Sequence, residues 1–320
     1  MRIKDIFASR RPVLSFEIFP PKGDDRADIV SKLTAELKVF NPAFISVTYG
    51  AGGTTRDSSV EISSIVSGFG FEVLSHLTCV GHTVSEIDDI LDRLRAAGVE
   101  NILALRGDPP KGVKNFDYSK GSFRYAVDLI RHIRNKGFFG IGAAAYPEGH
   151  MAAPRIDTDW VHLKEKVDAG AEFLITQLFF DNRVFYHFVE SVRGLGIFCP
   201  ISAGILPVLH ADTVKRIVSL CGASIPAALS IMLDKYAHDP EGLEKAGIEY
   251  AAAQVEDLIE NGVDGVHLYT LNRSEWVGKV LRDVGIGLPG GVPETYEMWP
   301  TEPGKWLPHV AGEQLNRDAL

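Results

Sequence analysis

The stretch Val13-Leu14-Ser15-Phe16-Glu17-Ile18-Phe19, stopped by Pro20-Pro21, reads as a β-strand. Its length and its aromatic and β-branched content favour that state. The same phrase then recurs. Short apolar runs at 13–19, 43–49, 72–79, 101–105, 140–145, 172–179, 200–205 and 264–269 alternate with stretches of helical spacing. Ile87, Ile90, Leu91 and Leu94 recur at three and four, as do Val127, Ile130 and Ile133. Ser85, Ser122 and Asp181-Asn182 offer helix caps, and Gly98, Gly137 and Gly170 stand where helices would end. Strands alternating with helices imply parallel pairing and right-handed crossovers. Eight such units predict one α/β domain, a (β/α)8 TIM barrel over residues 1–285. A doubly wound open sheet is the competitor, but no G-x-G-x-x-G stands between a first strand and its helix, and no G-x-x-x-x-G-K-[ST] is present.

Composition narrows the class. The 320 residues are 45% hydrophobic and 23% charged, ordinary for a soluble globular chain. A net charge of -9 without a basic stripe argues against nucleic acid as a partner. No apolar run reads as a signal peptide or a membrane span, and Cys79, Cys199 and Cys221 are too scattered for a disulfide framework. A reducing cytoplasm is the expected compartment. Residues 286–320 are rich in Pro and Gly, with Tyr296, Trp299 and Trp306. They read as an irregular C-terminal tail that packs on its own barrel or on a neighbouring subunit. No separate regulatory domain is expected, and a homo-oligomer is.

Glu17 is out of place in its apolar run. In a strand buried on both faces an unpaired carboxylate is expensive and tends to neutralise. A carboxyl protonated near neutral pH is what a general acid requires. The alternative is a charge paired with a neighbouring strand or at a strand mouth. Glu17, Thr48, His76, Arg106 with Asp108, Tyr146, Gln177 and Tyr269 stand at or near seven of the eight predicted strand ends. In a barrel those ends build the active site. The glycines of Thr48-Tyr49-Gly50-Ala51-Gly52-Gly53-Thr54-Thr55 fit either a close approach to a ligand or a plain loop. His76-x-x-Cys79-x-x-His82 has metal-ligand types, but a spacing of three on a strand alternates faces, so no metal is expected.

Read in order, these segments resemble the methylenetetrahydrofolate reductases. Ser15-Phe16-Glu17-Ile18-Phe19-Pro20-Pro21-Lys22, Val47-Thr48-Tyr49-Gly50-Ala51-Gly52-Gly53-Thr54 and His76-Leu77-Thr78-Cys79 carry the first part of the match. Ala104-Leu105-Arg106-Gly107-Asp108-Pro109-Pro110, Ala145-Tyr146-Pro147-Glu148-Gly149-His150 and Lys166-Val167-Asp168-Ala169-Gly170-Ala171 continue it. Ile175-Thr176-Gln177-Leu178-Phe179-Phe180-Asp181 and Leu268-Tyr269-Thr270-Leu271-Asn272-Arg273 complete it. The similarity covers about residues 10–285. It implies a barrel that binds FAD non-covalently and reduces 5,10-methylenetetrahydrofolate to 5-methyltetrahydrofolate, in one-carbon and methionine metabolism.

The resemblance assigns roles residue by residue. Glu17 becomes the acid, and Asp108 the charge beside flavin and pterin. FAD would meet Thr48, His76, Arg106, Gly107, Asp108, Tyr125, Ala126, Tyr146, His150, Ala153, Asp159 and Lys166. Glu17, Gln177, Tyr269 and Arg273 would meet the folate. Read without the family, Asp108 is a loop carboxylate before Pro109 that Arg106 could pair, and Gln177 a strand residue satisfied by backbone. The chain departs from some members. His162 and Glu165 stand where relatives have Asn and Arg, which removes a cation near the diphosphate. Val208-Leu209-His210-Ala211 lacks a Phe that stacks on folate in some relatives. The electron donor is therefore left open between NADH, NADPH and a partner protein. A folate- or corrinoid-linked methyltransferase without flavin, and a silent barrel subunit, are the competing functions.

Overall fold

The computed structural model describes residues 1–49, 56–108, 117 and 121–285. Gly50, Gly52 and Gly53 of the glycine-rich segment, Pro109, Pro110 and the tail 286–320 lie outside the described residues. Eight parallel strands close in chain order into a barrel. They are β1 Val13–Ile18, β2 Phe44–Val47, β3 Val73–Thr78, β4 Asn101–Leu105, β5 Gly140–Ala145, β6 Phe173–Thr176, β7 Ile201–Ile205 and β8 Gly265–Tyr269. The described helices are α1 Ile3–Ser9, α2 Arg26–Leu37, α3 Arg56–Gly68, α4 Val84–Ala96, α5 Ala126–Lys136 and α6 Ile156–Ala169. They continue as α7 Asn182–Gly194, α8 Ala211–Cys221, α9 Ala227–Lys235, α10 Pro240–Glu260 and α11 Ser274–Val284.

Side chains alternate along each strand, and the core divides accordingly. Phe16, Ile18, Ile45, Val47, Ile102, Ala104, Val266 and Leu268 join the layer under the helices. Val13, Phe44, Leu74, Leu103, Phe173 and Ile175 fill the barrel and meet Ile3, Ile6 and Phe7 of α1. Helix α1 therefore plugs the N-terminal mouth. Asn101 holds it there: Oδ1 accepts Ile3 N–H at 2.9 Å, and Nδ2 donates to the Met1 carbonyl at 3.0 Å. Asp264 secures the same end, accepting Ile201 N–H at 2.9 Å and pairing with Arg11 and Arg193. With that mouth sealed, a ligand must enter at the C-terminal end of the strands.

Several local expectations shift. On α4 the buried set is Ile87, Ile90, Leu91 and Leu94, as the spacing requires. On α5 it is Leu129, Ile130 and Ile133, with Leu129 in place of Val127. Thr83 rather than Ser85 caps α4, through a reciprocal box with Glu86. Ser122 caps no helix of its own; its Oγ accepts Val84 N–H at 3.2 Å at the start of α4. Asp181 caps α7, accepting from Arg183 N–H. The strands end earlier than the apolar runs: 172–179 shortens to Phe173–Thr176, because Leu178 and Phe180 turn into a second cluster with Leu206, Val208, Val214, Leu229 and Leu243. That cluster lies under α8, α9 and α10, so the seventh unit carries more helix than the repeat predicts. Among the described residues no helix is long and apolar enough to cross a membrane.

Candidate active site

Glu17 opens the site. Its neighbours Phe16 and Ile18 point into the helix layer, while Glu17 shares the inner parity with Ser15. The apolar strand is therefore not its environment. Glu17 Oε2 stands 3.6 Å from His76 Nε2 and 3.6 Å from His267 Nε2. Of the two readings of this carboxylate, a place at the strand mouth matches, with two histidine rings beside it. Its backbone is also held: the Glu17 carbonyl accepts Thr270 N–H at 3.1 Å and Thr270 Oγ1–H at 2.6 Å. Asn272 then laces the loops after β1 and β8 together, accepting Phe19 N–H at 3.0 Å and donating to its carbonyl at 2.7 Å.

His267, Ser15 and Ser46 form a buried polar layer directly beneath that carboxylate. Ser15 Oγ donates to the Val266 carbonyl at 3.3 Å, so it accepts from His267 Nδ1–H at 2.7 Å. His267 Nε2 is then an acceptor, 3.2 Å from Ser46 Oγ. The ring is fully buried and stacked on Phe44. Sequence reasoning missed all three residues. The available signal was a histidine two residues before Tyr269, on the same inward face of β8. His76 differs from His267 in one respect: its buried Nε2 has no hydrogen-bond partner among the described residues. Burial pushes the His76 imidazole down to about 4, with His267 adding to the fall and Glu17 opposing it. His76 is thus a neutral ring.

Tyr269 forms the floor of this site. Its hydroxyl reaches over β7 and donates to the Thr176 carbonyl of β6 at 2.8 Å. Gly204 makes room for it, since a Cβ there would lie 2.3 Å from the Thr176 oxygen and 2.8 Å from the Tyr269 hydroxyl. Burial raises the phenol well above its ordinary range. Gln177 lies beyond β6, and its Oε1 accepts Leu178 N–H at 2.9 Å, leaving the amide nitrogen to donate. Arg273 is carried outward, with its guanidinium 3.7 Å from Glu244 of α10 and 3.9 Å from Glu275.

A second group collects after β4 and β5. The rings of Tyr146 and His150 meet edge to face at 4.8 Å. His150 N–H donates to Asp159 Oδ2 at 3.1 Å, and Ala152 N–H donates to His150 Nδ1 at 3.0 Å. Ala153 N–H closes the loop on the His150 carbonyl at 2.8 Å. Lys166, one face along α6, donates its ammonium to the Ala144 carbonyl at 2.6 Å. Burial lowers this lysine to about 8, against the pull of Asp159. Burial pushes Tyr146 up to about 12, helped by Asp159 and Asp108 and opposed by Arg106. His150 is lowered, first by burial and next by the Arg106 charge. Arg106, Asp108, Asp159 and Lys166 therefore share one electrostatic neighbourhood with the two rings.

The other candidate residues sit around these two groups. Thr48 N–H donates to the Ile18 carbonyl at 3.0 Å just past β2. Gly107 links Arg106 to an exposed Asp108. Tyr125 is exposed at the start of α5, beside Ala126, with the Arg124 guanidinium over its ring. His162 and Glu165 pair with each other at 3.2 Å on the exposed side of α6. The His76, Cys79 and His82 side chains diverge. The Cys79 thiol donates to the Arg106 carbonyl at 3.6 Å, and His82 Nδ1 donates to Val80 while its Nε2 faces the Tyr49 hydroxyl.

A cofactor with an anionic diphosphate fits this donor set. An ammonium with one carbonyl partner among the described residues, and a buried imidazole nitrogen with none there, both call for a polar guest. By contrast, a cavity of about 810 Å³ between His210, α10 and α11 is lined by charges of both signs and by none of these residues.

Comparison with known proteins bears on this arrangement. The family model described as methylenetetrahydrofolate reductase matches residues 2–285. Methylenetetrahydrofolate reductase (NADH) 1 of Arabidopsis thaliana is 37% identical over 297 residues, which are 89% of this chain and 50% of that one. Methylenetetrahydrofolate reductase 1 of Schizosaccharomyces pombe is 37% identical over 278 residues, 85% of this chain and 46% of that one. A Caenorhabditis elegans relative named as a probable NADPH form is 34% identical over 295 residues, 89% of this chain and 44% of that one. The chain thus spans about half the length of these relatives. A solved Clostridium thermocellum protein, described as binding two copies of 5-methyl-5,6,7,8-tetrahydrofolic acid, shares the fold at a TM-score of 0.63 and 15% identity, over 88% of this chain and 97% of that one. On the match across residues 2–285, this chain belongs to the methylenetetrahydrofolate reductase family.

Proposed function

We propose that this chain reduces 5,10-methylenetetrahydrofolate to 5-methyltetrahydrofolate, with FAD as its cofactor and a nicotinamide nucleotide as electron donor. The observation that carries the reading is Glu17 at the open mouth of a sealed barrel, set between two buried histidines. When bound, FAD supplies a carrier that accepts hydride from the nicotinamide and yields it to the substrate carbon.

Glu17 delivers a proton to the folate nitrogen that leaves the one-carbon bridge. The carbon–nitrogen bond then breaks, and the carbon becomes an iminium able to accept hydride. Asp108 places a negative charge where that cation develops. Gln177 offers its amide N–H to the pterin edge, its oxygen being occupied by Leu178. Lys166 and Arg106 meet the diphosphate, and Tyr146 and His150 present aromatic surface beside it. Thr48, Gly107, Tyr125, Ala126, Ala153 and Asp159 complete the proposed cofactor contacts. Tyr269 shapes the floor, and Arg273 stands at the outer rim for the distal part of the folate.

The test is direct. Purified protein should be yellow with a flavin absorption band, and anaerobic NADH or NADPH should bleach it. Methylenetetrahydrofolate should then restore the colour. A colourless protein that takes up no FAD sinks the reading in favour of a methyltransferase or silent barrel. Bleaching by dithionite alone, followed by normal reoxidation by folate, points to a partner protein as donor.

A further inference from the structure

A single carboxylate joins the β5–α6 loop to the α8–α9 turn. Glu148 Oε1 and Oε2 accept the Ser224 backbone N–H at 3.0 and 3.1 Å, across 76 positions of chain. Met151, in the same loop, lies against Gly222 in the same turn. Glu148 sits inside the turn that Gly149 N–H closes on the Tyr146 carbonyl at 3.0 Å. That turn brings Tyr146 and His150 face to edge. At the other end of the tie, α8 follows directly on Leu206–Pro207–Val208–Leu209–His210, the segment leaving β7.

Ser224 is exposed, so water could satisfy its N–H without Glu148. An exposed hydrogen bond of this kind adds little to net stability. Its distinctive effect is alignment, because a carboxylate acceptor bonds an N–H about twice as strongly as a neutral one.

We propose that Glu148 is a positioning residue that makes the α8–α9 turn respond to occupancy of the β5–α6 loop. This rests on the flavin reading above. A ligand seated against Tyr146 and His150 holds their turn in one geometry. The turn holds the Glu148 carboxylate, and the carboxylate holds Ser224. Cofactor binding thereby settles the wall that follows β7, at the C-terminal end of the strands where a ligand enters.

The experiment is hydrogen exchange over residues 222–226 of the full chain, freed of flavin and then given FAD, for wild type, Glu148→Ala and Glu148→Gln. FAD should slow exchange at Ser224 in wild type. In Glu148→Ala, FAD should still bind within about threefold, the slowing should vanish, and the flavin-free protein should exchange Ser224 about tenfold faster. Glu148→Gln keeps a neutral acceptor and should retain part of the slowing. It decides the matter if the alanine variant does not fold. A merely structural role would lower the melting temperature and FAD retention together and leave no difference confined to 222–226. Full FAD-dependent slowing in the variants, or wild type that binds FAD without slowing, overturns the proposal alone. Wild type that retains no flavin at all overturns the flavin reading, and this inference with it.

Discussion

His267 Nε2 and His76 Nε2 approach the same oxygen of Glu17, each at 3.6 Å. The two rings do different things there. His267 is tied through both nitrogens to Ser15 and Ser46 and cannot turn without breaking that layer. His76 Nε2 has no hydrogen-bond partner among the described residues, and the ring stays neutral because burial lowers it to about 4. Glu17 thus stands between a ring fixed by two serines and a ring that carries no charge at neutral pH.

Glu17→Gln should leave FAD bound and bleachable by the nucleotide, because no proposed cofactor cation is touched. Folate reduction should fall by roughly a hundredfold or more, since an amide cannot give up the proton. Stopped-flow traces of the two half-reactions separate these effects. Near-normal reoxidation by methylenetetrahydrofolate would remove Glu17 from the acid role.

His267→Phe keeps the stacking surface on Phe44 but removes both ring nitrogens. Ser15 and Ser46 lose their partner. With the Ser15–His267–Ser46 layer broken beneath Glu17, the folate half-reaction should slow by about tenfold, the scale of one hydrogen bond lost from that layer, while nucleotide bleaching is unchanged. Equal slowing of both halves would mean that the ring serves the barrel rather than Glu17.

Helix α10 approaches the loop after β7 so closely at Gly247 that a Cβ would lie 1.7 Å from the Val208 carbonyl oxygen. Alanine in place of glycine gains about 1 kcal/mol of helix propensity. Forcing a methyl group into a backbone oxygen costs about 3 kcal/mol or more, so overpacking wins. Gly247→Ala should therefore lower the melting temperature and raise the KM for folate as Val208 is pushed aside. An unchanged or higher melting temperature would show that α10 is free to shift.

The barrel was legible because its signal is repetitive: eight short apolar runs are separated by stretches of helical spacing. Helix α1 was not, since Ile3, Ile6 and Phe7 span barely two turns and gain meaning only from the barrel mouth they fill. Glu17 was conspicuous as a charge in an apolar run, yet its surroundings stayed open between a buried strand and a strand mouth, because the run alone does not show that alternation turns its apolar neighbours the other way. His267 escaped notice because one polar residue in a buried strand looks like any other until Ser15 and Ser46 are brought to it from β1 and β2. Tyr269 stood at a strand end as expected, but the close approach of Gly204 sends its hydroxyl over β7 to Thr176. Pairings between distant strands carry this information, and no local spacing encodes them.

Lys166 sets a pH dependence for cofactor binding. A lysine normally holds its proton to 10.5, and burial brings this one down to about 8. Between those values the unfolded chain keeps a proton that the folded chain has lost, so this group's contribution to stability rises with pH across that window. Cofactor binding runs the other way. An anionic diphosphate beside Nζ favours the ammonium, so binding above about pH 8 takes up a proton. The affinity for FAD should be flat below about pH 8 and weaken by up to about tenfold per pH unit above it. The neighbours do not mimic this. Tyr146 is pushed up to about 12, above the window, and His150 is held below its ordinary 6.5. Fluorescence titration of the flavin-free protein from about pH 6 to about pH 9.5 reads the curve directly. Lys166→Met should bind FAD more weakly at pH 7 and show no break. A break that survives in the variant, or a flat wild-type curve, would mean that the diphosphate lies elsewhere.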